Sequence, residues 1–287
     1  MLAGFRWETY KLYKRPAVWV CIGLLLVLAV GLGYVVLYFV YTYSPANSNS
    51  GLPRGVTLKD LKIALYPAAM VKYTLATWDT LGGVFALILG VLSQGSEYGW
   101  GTIKTLYTQR PGRVALLFGK LAALSLAVLV LVLCLFAVDA ISSYVLASVD
   151  GKSTSWPAAV DILKGVAAAW LIFEFWAIFG FALATLFRQS AMAIGLGLAY
   201  AIVIEGIIFS IAANVGGDTV KQIQSWFPIA NTGYLSSSFG TAVPEALARS
   251  VPKPIAGADH AVIVLLVYLA IFLAGSALLV RARDVTN

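Results

Sequence analysis

Six long apolar runs determine what this chain of 287 residues can fold into. Each run is close to the roughly 20 helical residues that cross a hydrocarbon core of about 30 Å. Charged residues make up only 11% of the chain, whereas an ordinary soluble domain has about 25%. We predict membrane spans at 17–41, 80–96, 114–137, 165–187, 191–213 and 261–280.

The spans are predicted to be α-helices. Open strands leave backbone groups unsatisfied in lipid, and these runs lack the alternating pattern of a membrane barrel. The expected fold is therefore an all-α polytopic membrane protein, with one transmembrane domain over residues 1–287. The span at 80–96 is the shortest and is interrupted by glycines, namely Gly82, Gly83, Gly90 and Gly95.

The distribution of basic residues predicts the orientation. With six spans, both termini share one side with the second and fourth loops, and this side carries 11 of the 20 Lys and Arg residues. They are Arg6, Lys11, Lys14, Arg15, Lys104, Arg110, Arg113, Lys120, Arg188, Arg281 and Arg283. Because basic loops stay in the cytoplasm, we expect cytoplasmic termini. The net charge of +7 then suits anionic lipid headgroups and requires no nucleic acid.

The connections carry some structure of their own. Apolar and basic residues alternate over 1–16, which predicts an interfacial helix, although an ordinary basic flank is the alternative. Thr57-Leu58-Lys59-Asp60 has the pattern of a capping box before a short helix. The outer loop 214–259 is too long for a simple connector and predicts a partly buried, re-entrant helical excursion.

Two stripes of small residues allow close helix packing. They are Gly82-x-x-x-Ala86-x-x-x-Gly90 and Ala191-x-x-x-Gly195-x-x-x-Ala199. Packing within the chain and a dimer seam both fit this pattern.

Signatures of catalysis and of metal binding are missing from the sequence. Two cysteines and one histidine cannot supply the usual four ligands of a structural zinc site. Gly151-Lys152-Ser153 resembles the end of a phosphate-binding P-loop, but Leu146 stands where its first glycine is needed. We therefore expect neither catalytic residues nor a cofactor site on this chain.

Three carboxylates fall within or beside spans, where a charge costs about 3 kcal/mol or more. Glu174 lies near the middle of the fourth span and Glu205 in the outer half of the fifth. Asp139 is expected at the outer end of the third span, where solvent reaches it. These residues could form a transport path for a cation or protons; the alternative is a structural carboxyl at a helix interface.

The polar segment between the second and third spans is the strongest candidate for a binding site. Glu97 is expected near the start of a short helix, where the helix dipole favours negative charge. Trp100, Leu106 and Tyr107 form an aromatic and apolar knob that a soluble partner could bind. The alternative is a re-entry loop whose aromatic side chains lie among the headgroups.

This segment resembles a loop of a known family. The residues in question are Glu97, Gly101-Thr102-Ile103-Lys104-Thr105-Leu106, Arg110-Pro111, Arg113 and Gly119-Lys120. They are similar to the cytoplasmic loop of ABC transporter permeases of the type-2 exporter class, especially the bacitracin-export and sodium-export branch. The end of the chain, Arg281-Ala282-Arg283-Asp284-Val285, is also similar to that family.

The resemblance implies a half-transporter in a prokaryotic plasma membrane. Two permease subunits, identical or paralogous, would pair above two separate P-loop ATPase subunits that bind MgATP. The coupling helix that docks on the ATPase would comprise Glu97, Tyr98, Gly99, Trp100, Gly101, Thr102, Ile103, Lys104, Thr105, Leu106 and Tyr107. The exported substrate would be lipophilic, a peptide or an ion.

Two other functions are compatible with the residues. An ion-coupled secondary transporter would use Glu174 and Glu205, but it predicts inverted repeats and broken helices, which the sequence does not show. A membrane scaffold without transport activity is the other alternative.

Overall fold

The computed structural model describes residues 2–44, 57–99, 113–243 and 254–282, and in these residues the chain is helical and has no strand. The helices are α1 (Leu2–Lys14), α2 (Pro16–Tyr43), α3 (Met70–Gly99), α4 (Arg113–Val149), α5 (Ala159–Phe187), α6 (Ser190–Ile208), α7 (Phe209–Gln224), α8 (Pro228–Ser237) and α9 (Ala258–Ala282). Helix α2 includes a π-helical stretch at Ala29–Val36, and α6 ends in another at Tyr200–Ile208.

Six described helices are long and apolar enough to cross a membrane, which confirms the predicted span number and fold class. They are α2, α3, α4, α5, α6 and α9. Helix α3 begins at Met70, ten residues before the predicted start of its span. The prediction began too late because Lys72 and Asp79 lower the hydropathy of the first turns of this helix. The carboxylate of Asp79 accepts hydrogen bonds from the backbone of Thr80, at 2.6 Å, and from Ser236, at 3.4 Å.

Helices α3 and α5 form the centre of the bundle, and glycines permit their close contact. A methyl group at Gly90 would overlap the carbonyl oxygen of Ala177, and one at Gly180 would overlap the backbone of Leu87. The first stripe of small residues therefore packs within the chain. The second stripe differs, because Ala191, Gly195 and Ala199 are exposed on α6.

At the bundle end opposite the termini, polar contacts with Asp150 hold neighbouring elements together. Its carboxylate accepts hydrogen bonds from Tyr38 and Tyr66, at 2.9 and 2.8 Å, and forms an ion pair with Lys62 at 2.8 Å. The ammonium of Lys62 also lies 4.1 Å from the centroid of the Tyr38 ring. We call Tyr38, Lys62, Tyr66 and Asp150 the Asp150 cage; it joins α2 and the loop between α2 and α3 to the end of α4.

The cage shifts the ionisation of its members. Burial by itself would favour the protonated acid, but hydrogen bonds from Lys62, Tyr66 and Tyr38 hold the pKa of Asp150 below its usual 3.8. Burial and the neighbouring Asp150 raise the pKa of Tyr66. The cage therefore contains an ionised carboxylate and a neutral phenol at neutral pH.

The loop between α2 and α3 contains a 3₁₀ helix at Leu58–Leu65. The Asp60 carboxylate accepts a hydrogen bond of 2.7 Å from the backbone N–H of Thr57, which lowers the pKa of Asp60. The sequence predicted this capping box.

The described part of the long segment between α6 and α9 contains two helices. Helix α7 has a kink at Gly217, whose φ is +58°, and α8 packs against α9 and α3. Asn231, Thr232 and Leu235 of α8 are buried. Its placement at membrane depth stays a prediction.

Candidate functional site

The residues that the sequence singles out for docking lie at the end of α3 and beyond it. Tyr98 and Gly99 complete α3, while Trp100 to Tyr107 fall outside the described residues. Glu97 is described together with its contacts. It lies in the last turn of α3, so the expectation that it starts a short helix is wrong. A carboxylate there faces the negative end of the helix dipole and needs compensating cations.

Two lysines from other helices supply that compensation. Lys11 of α1 binds Glu97 Oε1 at 2.6 Å, and Lys120 of α4 binds Glu97 Oε2. The side chains of Glu97 and Lys120 are each only 2% exposed. The carboxylate thus joins three helices in a place that water barely reaches.

Further contacts extend this arrangement. Lys11 forms an ion pair with Glu8 at 2.8 Å, and Lys120 donates a hydrogen bond of 3.1 Å to Gln94. We call Glu8, Lys11, Gln94, Glu97 and Lys120 the base cluster. The cluster contains two lysines and two glutamates, so its formal charges cancel and the buried Glu97 and Lys120 each have a partner of opposite charge.

Helix α1 lies close enough to α4 to take part in this cluster. At Gly119 the two backbones approach so closely that a Cβ would lie 3.1 Å from the carbonyl carbon of Gly4. Arg15, just after α1, donates a hydrogen bond of 2.8 Å to the carbonyl of Leu92 on α3. Trp7, Tyr10 and Tyr13 of α1 are exposed. Its location at the membrane interface stays a prediction.

Sequence reasoning missed the base cluster, although one signal pointed to it. Lys120 is an isolated cation in an apolar run, and such a residue needs a partner within the protein. The partner was Glu97, and Lys11 completes the site from 86 positions away. Sequence spacing gives no measure of that contact.

Asp139 is not at a solvent-accessible helix end. Helix α4 continues to Val149, and the Asp139 side chain is fully buried. Its Oδ2 accepts a hydrogen bond of 2.6 Å from Thr74 on α3. The prediction of solvent access was wrong because the third span is longer than its most apolar stretch. Oδ1 has no partner among the described residues.

Glu174 and Glu205 lie in different surroundings. Glu174 interacts with Ser125 of α4, and its Oε2 has no partner in the described part of the chain. Glu205 accepts a hydrogen bond from Tyr200 at 2.6 Å. It also accepts bonds from the backbone N–H groups of Ile229 and Ala230, at 2.9 and 3.2 Å. Glu205 thereby caps the N-terminus of α8, where a negative charge is stabilising.

The structure thus gives each of the three carboxylates separate partners among the described residues. Asp139 joins α4 to α3, Glu174 joins α5 to α4, and Glu205 joins α6 to α8. Of the three, Asp139 and Glu174 have a buried carboxylate oxygen without a hydrogen-bond partner among the described residues.

These features define a class of protein: a multi-pass helical membrane protein whose charged base joins an N-terminal helix to the second and third spans. The sequence model of the ABC-2 family transporter proteins matches residues 5–285, and the chain belongs to that family. A comparison with curated proteins gave no match. The protein is therefore a membrane transport subunit of the ABC-2 permease type.

Proposed function

We propose that the protein is the membrane-spanning half of an ATP-driven exporter and that the segment 98–108 docks on a separate P-loop ATPase. The observation that carries the proposal is the base cluster, together with membership of the ABC-2 family. The base cluster lies at the end of α3, directly before this segment, and its Lys120 lies in the first turns of α4, which follows the segment.

The base cluster suits the transmission of a movement. Glu97 is buried between Lys11 and Lys120, so a displacement of the segment 98–108 would pull on α1, α3 and α4 together. Packed interfaces of this kind move as units and favour discrete arrangements. An ATPase that holds the segment differently in its ATP-bound and ATP-free states would shift the permease between two arrangements.

This proposal changes the role of one predicted docking residue. Because the Glu97 side chain is 2% exposed, it positions the docking segment from within the permease. Direct contact with the ATPase would fall to the residues after it, with Trp100, Leu106 and Tyr107 as the apolar anchors.

The remaining parts of the assembly follow from the same proposal. Both termini would lie in the cytoplasm of a prokaryotic cell, MgATP would bind the ATPase, and a second permease subunit would complete the pathway. Asp139 and Glu174 are the candidates for a transport path, since each has a carboxylate oxygen without a partner in the described part of the chain. Glu205 is proposed to act as a helix cap.

Affinity purification of the full chain from native membranes in mild detergent tests the proposal. We expect a stoichiometric P-loop ATPase in the purified complex by mass spectrometry. Gly101→Trp and Leu106→Asp should each abolish its recovery without lowering the thermal stability of the permease. Thr154→Trp, an equally bulky change at an exposed position of the opposite loop, should retain the ATPase.

Two results would contradict the proposal. One is an ATPase that is retained by both docking variants. The other is a permease that purifies alone and transports without ATP, which would favour an ion-coupled carrier. In that case Asp139→Asn and Glu174→Gln should abolish transport, since their unpartnered oxygens would hold the coupling ion.

A further inference from the structure

Two neighbouring cavities open at the bundle end opposite the termini. The first, of about 920 Å³, lies between the starts of α3, α5 and α9 and the end of α8; we call it the apolar cavity. The second, of about 820 Å³, lies beside the Asp150 cage; we call it the lysine cavity. Ala68 and Lys72 line both, so the cavities are adjacent. Each has the size of an ordinary ligand pocket, roughly 300–1,000 Å³.

The lysine cavity has an excess of positive charge. Its described lining includes four lysines and two aspartates, namely Lys59, Lys62, Lys72, Lys152, Asp60 and Asp150. Both aspartates already have partners, Asp60 in the Thr57 cap and Asp150 in its cage with Lys62. Lys59, Lys72 and Lys152 form no ion pair within the described part of the chain.

Hydroxyl groups accompany these lysines. Ser153, Ser155 and Thr241 also line the lysine cavity. A site that combines ammonium groups and hydroxyls matches an anion with several acceptor oxygens, and phosphate is the commonest such group. Gly240, with φ of +88°, turns the chain beside Lys72, where a Cβ would lie 3.5 Å from the ammonium nitrogen.

The apolar cavity has more apolar side chains in its lining than the lysine cavity, and its charges balance. Its lining includes Val71, Ala168, Leu171, Leu235, Phe239 and Val262. Its charged lining residues are Lys72, Asp161, Lys164 and Asp259, whose charges balance. A net charge therefore has no advantage there, whereas an apolar chain would bury its surface.

The level of the two cavities suits a membrane ligand. Lys72, Lys164 and Asp259 lie in the first turns of three spans, Pro67–Glu97, Ala159–Phe187 and Ala258–Ala282. Charged side chains near helix ends reach the headgroup level, and ammonium groups there can form charge-assisted hydrogen bonds with the phosphate of an anionic lipid.

We infer that the two cavities form a binding site for an amphipathic phospholipid whose headgroup carries a net negative charge. Its headgroup lies in the lysine cavity and an acyl chain lies in the apolar cavity, with Lys72 at their junction. The adjacent apolar cavity favours a lipid over free phosphate, since free phosphate would leave that cavity empty. The site goes beyond the proposed export function and does not depend on an ATPase.

Binding to the purified full chain in a neutral detergent tests this site. Three probes separate the headgroup from the tail: dihexanoyl phosphatidylglycerol, dihexanoyl phosphatidylcholine and glycerol 3-phosphate, with Kd measured by microscale thermophoresis. We expect the anionic lipid to bind at least tenfold more tightly than either other probe. The chain is tested without ATPase, so failure here would leave the docking proposal untouched.

Matched variants assign the two parts of the site. Lys72→Gln combined with Lys152→Gln should weaken phosphatidylglycerol binding roughly tenfold or more, since each lysine near an anionic lipid contributes about 1 kcal/mol, a factor of about five. The double Arg variant at the same positions should retain binding. Lys221→Gln, which lines neither cavity, should have no effect. Ala167→Trp, which places a large side chain in the apolar cavity, should weaken the binding of phosphatidylglycerol and leave the binding of glycerol 3-phosphate unchanged.

Three results would overturn the inference. Equal binding of the two lipids would remove the role of the lysines. Equal binding of glycerol 3-phosphate and phosphatidylglycerol would leave a phosphate site without a tail. Unchanged affinity in the double Gln variant, with the Arg variant as reference, would place the headgroup elsewhere.

Discussion

Each end of the helix bundle is held together by a lysine–carboxylate ion pair, and the two pairs differ in how deeply they are buried. At the end of the bundle that carries the termini, the side chains of Glu97 and Lys120 are each 2% exposed. Together with Lys11 they join α1, α3 and α4. At the other end, the side chains of Lys62 and Asp150 are each 15% exposed, and with Tyr38 they join α2, the loop between α2 and α3, and the end of α4. Removing one partner of a buried pair leaves a charge without solvent, whereas water can replace a partner at an accessible pair. We therefore expect the end with the base cluster to be more rigid than the end with the Asp150 cage.

Lys120→Met should show the largest effect. It leaves Glu97 buried with Lys11 as its remaining lysine partner, which we expect to cost about 3–5 kcal/mol of unfolding free energy. The measurement is denaturant unfolding of the full chain in detergent, followed by tryptophan fluorescence. Lys14→Met, at an exposed position of α1, is the control and should change stability by less than about 1 kcal/mol.

A double variant sharpens the same test. Glu97→Gln with Lys120→Met removes both charges, so it should recover most of the lost stability. If Lys120→Met alone were as stable as the native chain, the Glu97–Lys120 ion pair would not stabilise the fold. The two ends of the bundle would then not differ in the cost of losing one partner.

Asp150→Asn should have a smaller effect at the opposite end. It keeps the shape of the side chain but loses the ion pair with Lys62 and weakens the hydrogen bonds from Tyr38 and Tyr66. We expect a loss of about 1–2 kcal/mol after allowance for solvent screening. Asp218→Asn is the control, because its side chain is 91% exposed. A loss as large as that of Lys120→Met would show that the cage is equally rigid.

The sequence predicted the helices better than their partners. Length and hydropathy were enough to identify six spans, because each run must cover the membrane by itself. The start of α3 was missed since Lys72 and Asp79 interrupt the apolar pattern. The buried pairing of Glu97 was missed because it depends on how α1, α3 and α4 meet, which hydropathy does not record.

The two stripes of small residues show the same limit. Gly82, Ala86 and Gly90 have the spacing of Ala191, Gly195 and Ala199, yet the first stripe packs on α5 and the second is exposed. A stripe of this kind permits close approach but does not specify the neighbour. The same holds for the carboxylates, since no sequence pattern indicates that Glu205 caps α8.

Tyr38→Phe should have a still smaller effect on the cage. The ring stays below the Lys62 ammonium, at 4.1 Å, and only the hydrogen bond of 2.9 Å to Asp150 is lost. The expected cost is about 0.5–1.5 kcal/mol by the same unfolding measurement. Tyr43→Phe, at an exposed position on the same helix, should be neutral. A neutral Tyr38→Phe would mean that Asp150 relies on Lys62 and Tyr66 alone.

Acid should release the cage gradually, and this is the smallest effect. Because the folded protein lowers the pKa of Asp150 below 3.8, its contribution is complete above the unfolded pKa and is lost as pH falls through the folded one. The stability difference between the native chain and Asp150→Asn should therefore be constant from about pH 7 to 5 and shrink below about pH 4. Unfolding curves at each pH measure it. A difference that disappears between pH 7 and 5 would mean that burial outweighs the hydrogen bonds of Lys62, Tyr66 and Tyr38, and the cage would then resemble the base in its isolation from water.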